Sequence, residues 1–184
     1  MTSKSALLVI DIQKDNVSLN SPYPYQSDNV ETLIERVNTL KQQFDENQLP
    51  VIFVRQVFQG LIGNLISRLL LKGITLKNQP GTELDERLYA IGSQVIDKPG
   101  QNAFHKTTLN SELLNLGIKH LYIAGLDGAY CIAQTAKGGL AANYRVTLID
   151  DAIITNKPKK WEALKESLLK SGAEVNMVAN VEHS

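Results

Sequence analysis

Three side chains that could carry out thiol chemistry follow apolar segments of the chain. Asp11 comes directly after a short apolar run, Lys98 follows Val95-Ile96-Asp97, and Cys131 follows another apolar run after a short loop. In open α/β sheets, ligands bind beyond the carboxyl ends of the strands, so these positions favour a functional role. Each residue alone also has an ordinary interpretation, as a helix cap, a solvated lysine or a small buried hydrophobe.

Taken together, the three residues supply what a nucleophilic cysteine requires. A helix N-terminus and a nearby ammonium group favour the thiolate, and a carboxylate can accept the thiol proton. We therefore expect Lys98 to lower the pKa of the Cys131 thiol below that of a free thiol and Asp11 to act as the base. Only one histidine, His105, lies near the predicted site. An Asp-Lys-Cys set is accordingly preferred to a Cys-His pair.

The composition limits the class of protein. The chain has 184 residues, about the size of one domain, and its 19 basic and 19 acidic side chains balance. The absence of a basic block argues against a nucleic-acid partner and leaves a small-molecule substrate as the expectation. The single cysteine excludes an intrachain disulfide and a CxxC site. The first apolar run, 6–10, is too short for a signal peptide or a membrane span, so we expect a cytoplasmic protein without membrane contact.

Apolar runs bounded by turn residues predict six strands, at 6–10, 50–54, 93–96, 120–124, 144–149 and 174–178. Several of these runs lack polar alternation, which is typical of parallel strands buried on both faces. Helical spacing of apolar residues predicts helices at 30–40, 109–116, 132–142 and 161–169. This alternation indicates an α/β fold: a three-layer α/β/α sandwich with a central, mostly parallel sheet of about six strands, in a single domain over 1–184.

The stretch 56–92 does not follow this alternation. It combines a short apolar helix at 61–71 with a turn-rich passage at 78–82, and we interpret it as an excursion from the sheet that shapes the pocket. The apolar side chains of 61–71 fit either a core or a subunit interface. A homodimer or a higher homo-oligomer is therefore left open.

Three separate motifs resemble the isochorismatase-like cysteine hydrolase superfamily. They are Leu8-Val9-Ile10-Asp11-Ile12-Gln13, Lys98-Pro99-Gly100-Gln101-Asn102-Ala103-Phe104 and Ala124-Gly125-Leu126-Asp127-Gly128-Ala129-Tyr130-Cys131. The passage Pro80-Gly81-Thr82-Glu83 is also similar to one that the superfamily often carries ahead of its lysine strand. Because the motifs occur in order over nearly the whole chain, together they are far more specific than any one of them. The resemblance implies the isochorismatase-like hydrolase fold.

The resemblance also implies a role for each matching residue. Asp11 matches the acid and base of the superfamily, Lys98 its lysine and Cys131 its nucleophile. Asp127 matches the position after a non-proline cis peptide, so the Leu126–Asp127 bond is expected to be cis. The backbone N–H groups of Asp127 and Cys131 would then form an oxyanion hole.

Four further side chains are candidate substrate contacts. Phe104 is a candidate pocket wall, and Gln13, Asn102 and Tyr130 are candidate polar contacts. Packing, or support of the catalytic groups, is an equal alternative for each of them. Many relatives carry an aromatic residue shortly after the Asp-x-Gln element, whereas this chain has Asp15-Asn16, which predicts a more polar pocket.

Members of the superfamily that hydrolyse nicotinamide carry a metal-binding Asp-x-His element after the second strand. Here that strand is followed by Arg55-Gln56-Val57-Phe58-Gln59, and the first histidine of the chain is His105. We therefore expect no metal site and no cofactor. The presence of Cys131 favours acyl transfer, because vinyl-ether hydrolysis needs only proton transfer and water.

The sequence thus predicts a metal-independent cysteine hydrolase that cleaves a C–N bond in a small amide, ureide or carboxamide. One alternative is an isochorismatase-type vinyl-ether hydrolase, in which Asp11 is the general acid and Cys131 is dispensable. A second alternative, from a different class, is a non-catalytic thiol redox or binding protein that keeps the same fold. Loss of activity in Cys131→Ala separates the first alternative from acyl transfer, and thiol reactivity without turnover indicates the second.

Overall fold

A six-stranded parallel sheet forms the centre of the computed structural model, which describes residues 4–18, 21, 25–58, 60, 65, 69 and 74–181. The strands are β1 (Ser5–Ile10), β2 (Val51–Gln56), β3 (Gln94–Lys98), β4 (His120–Leu126), β5 (Arg145–Ile154) and β6 (Glu174–Asn176). Their order across the sheet is β3-β2-β1-β4-β5-β6, and every neighbouring pair is parallel. The carboxyl ends of all the strands therefore meet at one edge of the sheet.

Helices cover both faces of the sheet, which confirms the three-layer α/β/α prediction. They are α1 (Lys14–Val17), α2 (Ser27–Glu46), α3 (Leu109–Asn115), α4 (Ala133–Ala141) and α5 (Pro158–Lys170). The apolar side of α2 belongs to one buried cluster with Leu7 and Val9 of β1. Apolar residues of α3, α4 and α5 belong to the other cluster, with Leu8 and Ile10. Successive residues of β1 thus face opposite layers, which explains its unbroken apolar run.

The last two strands differ in length from the prediction. β5 continues to Ile154, although its apolar run is interrupted at Asp150 and Asp151. Both acids have cationic partners, since Lys165 lies 3.0 Å from Asp150 and Arg36 lies 3.6 Å from Asp151. β6 is shorter than predicted and ends at Asn176. A 3₁₀ turn follows at Val178–Asn180 and is held by a hydrogen bond from the Val178 N–H to Asp151.

The excursion between β2 and β3 is anchored to the carboxyl end of β1. An isolated bridge pairs Gln13 with Leu84, and a 3₁₀ turn occupies Pro80–Thr82. The predicted helix at 61–71 lies outside the described residues except for Leu65 and Leu69, which are helical and exposed. No helix in the described part of the chain has the length and apolar character needed to span a bilayer.

Candidate active site

Asp11 is the first residue beyond β1, and the surrounding main chain holds it in place. Its φ of 56° is in the left-handed region, which aspartate tolerates better than most side chains. Its N–H donates to the Val54 carbonyl at 2.9 Å. Its own carbonyl accepts from the Gln13 N–H and from the Asn16 side chain, both at 2.8 Å. β2 and α1 therefore fix the backbone from which the carboxylate projects.

Lys98 is the last residue of β3, and its side chain is fully buried. Its ammonium donates to Asp11 Oδ2 at 2.8 Å and to the Gly100 carbonyl at 2.9 Å. It also lies 3.4 Å from both Cys131 Sγ and Gln56 Oε1. Burial alone would lower the pKa of Lys98, but the attraction of Asp11 and Cys131 outweighs it, so the pKa is raised and the lysine stays charged.

Cys131 lies in a π-helical turn, Gly128–Ile132, that leads directly into α4. It is 7% exposed, and its sulfur lies 3.4 Å from Lys98 Nζ and 3.6 Å from Gln56 Oε1. The fold thus brings together Asp11, Lys98 and Cys131, although they come from three separate segments of the chain. Convergence of the strand ends produces this cluster.

The protonation state of the thiol differs from the expectation drawn from the sequence. Burial and the negative charge of Asp11 raise the pKa of Cys131, and Lys98 only partly offsets them. The expected net lowering of the thiol pKa is wrong for the resting site, because the charge of Lys98 is already balanced by that of Asp11. The resting thiol is therefore neutral, and a thiolate forms only when the proton has an acceptor. Asp11 Oδ1 is buried and has no hydrogen-bond partner among the described residues, so it can serve as that acceptor.

The close approach of β4 to β1 brings the cysteine turn to Asp11. Gly125 has a φ of 116°, and a Cβ atom there would lie 2.2 Å from the Ile10 carbonyl oxygen. Only glycine fits this contact. Gly128 is similarly confined, because its Cβ atom would lie 2.8 Å from the Trp161 ring. The Leu126–Asp127 peptide bond between these glycines is cis.

The Asp127 carboxylate organises this turn and was not predicted to do so. It accepts hydrogen bonds from the Ala129 N–H at 2.7 Å, the Thr155 hydroxyl at 2.6 Å, the Tyr25 hydroxyl at 3.0 Å and the Asn156 N–H at 3.1 Å. Burial, reinforced by Asp127, raises the pKa of Tyr25, so its hydroxyl remains a donor. The sequence gives no signal for these partners, because Tyr25 and Thr155 are distant from Asp127 along the chain.

The hydrogen bonds of Gln13 fit its alternative role in supporting the site, and its contact with substrate stays a prediction. Its side chain is fully buried, and its amide donates to the carbonyls of Gln56 at 3.0 Å and Thr82 at 2.8 Å. Its oxygen accepts from the Gln56 N–H at 2.8 Å. These three hydrogen bonds leave the Gln13 amide committed to joining β1, β2 and the excursion.

Asn102 and Phe104 pack on α4 rather than beside the sulfur. A Cβ atom on Gly138 would lie 2.5 Å from the Asn102 side chain and 2.9 Å from the Phe104 ring. Gly138 follows Cys131 by about two helical turns. The Phe104 ring also packs on Tyr144, with centroids 5.8 Å apart. Both residues thus pack the loop after β3 onto α4, which fits the alternative role given above, and their contacts with substrate stay predictions.

Tyr130 and His105 flank the site in different ways. The half-buried Tyr130 ring lies under Lys160 of α5, whose Nζ is 3.8 Å from the ring centroid. A role of Tyr130 in substrate binding stays a prediction. His105 is exposed, and it takes no part in the hydrogen bonds described for Cys131.

Asp15 and Asn16 each hydrogen-bond to the main chain around the site, and the more polar pocket stays a prediction. Asp15 accepts a hydrogen bond from the Thr75 N–H at 2.7 Å and packs against Gly81. Asn16 donates to the Asp11 carbonyl. Each side chain thus uses one polar atom to hold main-chain atoms around the site.

Gln56 is the residue at the sulfur that the motifs did not indicate. It ends β2, and the register of the sheet pairs it with Lys98. Its position at the end of a strand could have indicated a place in the site, but Gln56 lies between the Asp11 and Lys98 motifs in the sequence and belongs to neither. Within the described ranges, His, Cys, Asp and Glu side chains form no group of three or more able to hold a metal ion.

Comparison with known proteins identifies the family. The model of the isochorismatase domain matches residues 5–179, and the chain therefore belongs to the isochorismatase family of hydrolases. A Bacillus subtilis isochorismatase family protein, YddQ, is 27% identical over 157 residues, which cover 82% of this chain and 78% of YddQ. Nicotinamidase 3 of Arabidopsis thaliana is 25% identical over 164 residues, covering 86% and 77% of the two chains.

A solved structure gives the same result for the fold. N-carbamoylsarcosine amidase from Thermoplasma acidophilum superposes with a TM-score of 0.83 at 23% identity, covering 97% of this chain and 99% of that one. The resemblance stated from the three motifs and the predicted isochorismatase-like α/β fold are both confirmed.

Proposed function

We propose that this protein hydrolyses a C–N bond in a small amide, ureide or related carboxamide, with Cys131 as the nucleophile. The observation that carries the proposal is the position of Lys98 Nζ, which is 2.8 Å from Asp11 Oδ2 and 3.4 Å from Cys131 Sγ. A buried thiol beside a carboxylate and an ammonium has a proton acceptor and a counter-charge in one cluster. The names of two similar proteins, a nicotinamidase and an N-carbamoylsarcosine amidase, are consistent with this substrate class.

Acylation begins with a neutral thiol. Asp11 takes the thiol proton as the sulfur attacks the substrate carbonyl carbon, and an S–C bond forms. The negative charge that develops on the carbonyl oxygen is accepted by the backbone N–H groups of Asp127 and Cys131. When the tetrahedral intermediate collapses, the C–N bond breaks and Asp11 returns its proton to the leaving nitrogen. Lys98 stabilises the thiolate during transfer and keeps Asp11 oriented.

Deacylation again uses the Asp11 carboxylate, first as a base and then as an acid. Asp11 removes a proton from water, the resulting hydroxide attacks the thioester, and the C–S bond breaks. The proton on Asp11 then returns to the sulfur, which restores the neutral thiol and releases a carboxylic or carbamic acid. Each turnover consumes one amide and one water and leaves the protein unchanged.

The direct experiment is a panel of small amides, ureides and carboxamides, assayed for release of ammonia or amine. We expect at least one substrate to be cleaved by the wild type and by none of Cys131→Ala, Asp11→Asn and Lys98→Ala. A stoichiometric acyl adduct on Cys131, trapped by mass spectrometry, would identify the covalent step. Amide cleavage that survives in Cys131→Ala would contradict acyl transfer to the cysteine and indicate direct attack by water activated by Asp11.

A further inference from the structure

The main chain of Gln56 is held more firmly than a strand end usually requires. Its N–H donates to Gln13 Oε1 at 2.8 Å, and its carbonyl accepts from Gln13 Nε2 at 3.0 Å. On its other side, the parallel register places it beside Lys98. The buried Gln13 side chain and the main chain of β3 at Lys98 thus fix the point from which the Gln56 side chain projects.

The Gln56 side chain reaches the two groups that Asp11 must act on. Its Oε1 atom lies 3.4 Å from Lys98 Nζ and 3.6 Å from Cys131 Sγ. An ammonium has only donors, and a neutral thiol at this position also acts as a donor, so the amide oxygen must face both of them. Gln56 Oε1 is therefore an acceptor that the lysine and the cysteine share, in addition to the Asp11 carboxylate.

This arrangement has a chemical consequence for the thiol proton. An amide oxygen accepts a hydrogen bond from S–H but cannot take the proton, and its partial negative charge opposes a thiolate. We propose that Gln56 is a positioning residue that holds the Cys131 thiol in its protonated form, oriented beside Lys98, until Asp11 removes the proton. This inference rests on the proposed nucleophilic role of Cys131. It adds a residue to the site that the three motifs do not contain.

Three titratable groups act on the sulfur among the described residues. Asp11 at the end of β1 raises the pKa of Cys131, Lys98 at the end of β3 lowers it, and the Tyr25 hydroxyl, ahead of α2, interacts with Cys131 through its charge when ionised. Gln56 also contacts Lys98, at 3.4 Å, but Asp11 Oδ2 at 2.8 Å keeps the lysine paired when Gln56 is replaced. A shift in thiol titration on substitution of Gln56 therefore reports the change in its contacts with the sulfur and with Lys98.

The test follows the single cysteine of the intact chain by its alkylation with iodoacetamide as a function of pH. Gln56→Glu keeps the shape of the side chain and adds a negative charge, so it should move the midpoint of the rate profile upward by about one pH unit or more, roughly a tenfold loss of thiolate at a given pH. Gln56→Met keeps the length and removes the amide acceptor, so it should move the midpoint downward. Shifts of opposite sign would support a direct effect on the thiol.

A matched control is Gln94→Glu, which adds the same charge at an exposed position. Gln94 begins β3, at the opposite end of that strand from Lys98. The profile of this variant should superimpose on that of the wild type. Superimposable profiles for wild type, Gln56→Glu and Gln56→Met would overturn the proposal, and so would shifts of both Gln56 variants in one direction. Because alkylation needs no turnover, a chain that cleaves no amide but shows the opposite shifts would disprove the proposed function and leave the Gln56 interaction standing.

Discussion

Lys98 Nζ lies 2.8 Å from Asp11 Oδ2, and the two side chains are only 0% and 4% exposed. The strand ends that carry them are separated by β2, so the ion pair spans the width of a strand at the edge of the sheet. At the sulfur of Cys131 the two charges act in opposite directions, since Asp11 raises the pKa of the thiol and Lys98 lowers it. The pair therefore provides a proton acceptor and a counter-charge without leaving a net charge beside a buried thiol.

Removal of either member of this pair should destabilise the protein. Asp11→Ala or Lys98→Ala leaves a buried charge without its partner, which costs about 3–5 kcal/mol in the free energy of unfolding. Urea unfolding followed by circular dichroism measures this loss. The double variant Asp11→Leu, Lys98→Met should lose less than either single variant, because no isolated charge remains. Additive losses in the double variant would show that the two charges do not depend on each other.

The titration of Cys131 should be set mainly by burial and Asp11. Because both raise the pKa of the thiol, the wild-type alkylation rate should reach half of its plateau in more alkaline solution than a free thiol does. Asp11→Asn should move this midpoint down, since it removes a negative charge, and Lys98→Ala should move it up. Mass spectrometry of iodoacetamide labelling against pH provides the measurement. A wild-type midpoint below that of a free thiol would mean that Lys98 dominates the site.

The cluster of Asp11, Lys98 and Cys131 could be predicted from sequence because each residue lies at the end of a strand or in the turn that follows one. Parallel strands place their carboxyl ends at one edge, so Asp11, Lys98 and Cys131 converge once the order of strands is known. The thiol pKa could not be predicted in the same way, because the residue types alone do not reveal that Asp11 neutralises Lys98. Gln56 was missed because its hydrogen-bond partner Cys131 is 75 positions away.

The hydrogen bonds of the candidate substrate contacts could not be predicted for a related reason. Gln13 and Asn102 lie close to Asp11 and Lys98 in the motifs, but closeness along the chain does not place a side chain at the substrate. Gln13 follows Asp11 by two residues beyond β1, and its side-chain amide forms hydrogen bonds with the main chain of Gln56 and Thr82. A buried side-chain amide needs hydrogen-bond partners within the protein, and only the fold shows which groups these are.

Gly125→Ala should disrupt the site through backbone geometry alone. An added Cβ atom would meet the Ile10 carbonyl oxygen at 2.2 Å and would force β4 away from β1 immediately below Asp11. Gly117→Ala is the matched control, because Gly117 also has a positive φ, of 71°, but has open space around its Cβ position. The control should lose about 1–2 kcal/mol of stability from the left-handed conformation. Gly125→Ala should lose clearly more in urea unfolding, and equal losses would rule out the close approach.

Hydrolytic activity should withstand prolonged treatment with a chelator. In the proposed mechanism, Asp11 moves every proton and backbone N–H groups accept the developing charge, so no step calls on a Lewis acid. The measurement compares ammonia release on the best substrate before and after dialysis against EDTA. Loss of activity that zinc or manganese restores would show that metal ligands lie elsewhere in the chain.

The stability of the protein should fall in mildly acidic solution because of His120, at the start of β4 and far from the active site. Its Nε2 lies 2.8 Å from the Thr147 hydroxyl, and the side chain is buried against Tyr122. Burial first, and then the charge of Arg145, lower the pKa of His120 from 6.5 to about 4. The unfolded chain therefore binds a proton below about pH 6.5 that the folded chain does not bind until about pH 4. The free energy of unfolding should decrease as the pH falls through this window.

His120→Gln isolates this contribution, because glutamine can still hydrogen-bond to Thr147 but does not titrate. Urea unfolding at pH 7 and at about pH 5, within the window set by the lowered pKa, should show a smaller loss of stability for His120→Gln than for the wild type. The matched control is His105→Gln, since His105 is exposed and its replacement should leave the wild-type loss unchanged. If His120→Gln lost as much stability on acidification as the wild type, the acid sensitivity would have to come from carboxylates that are ion-paired in the folded state. The two variants therefore separate a buried neutral histidine from the general protonation of surface acids.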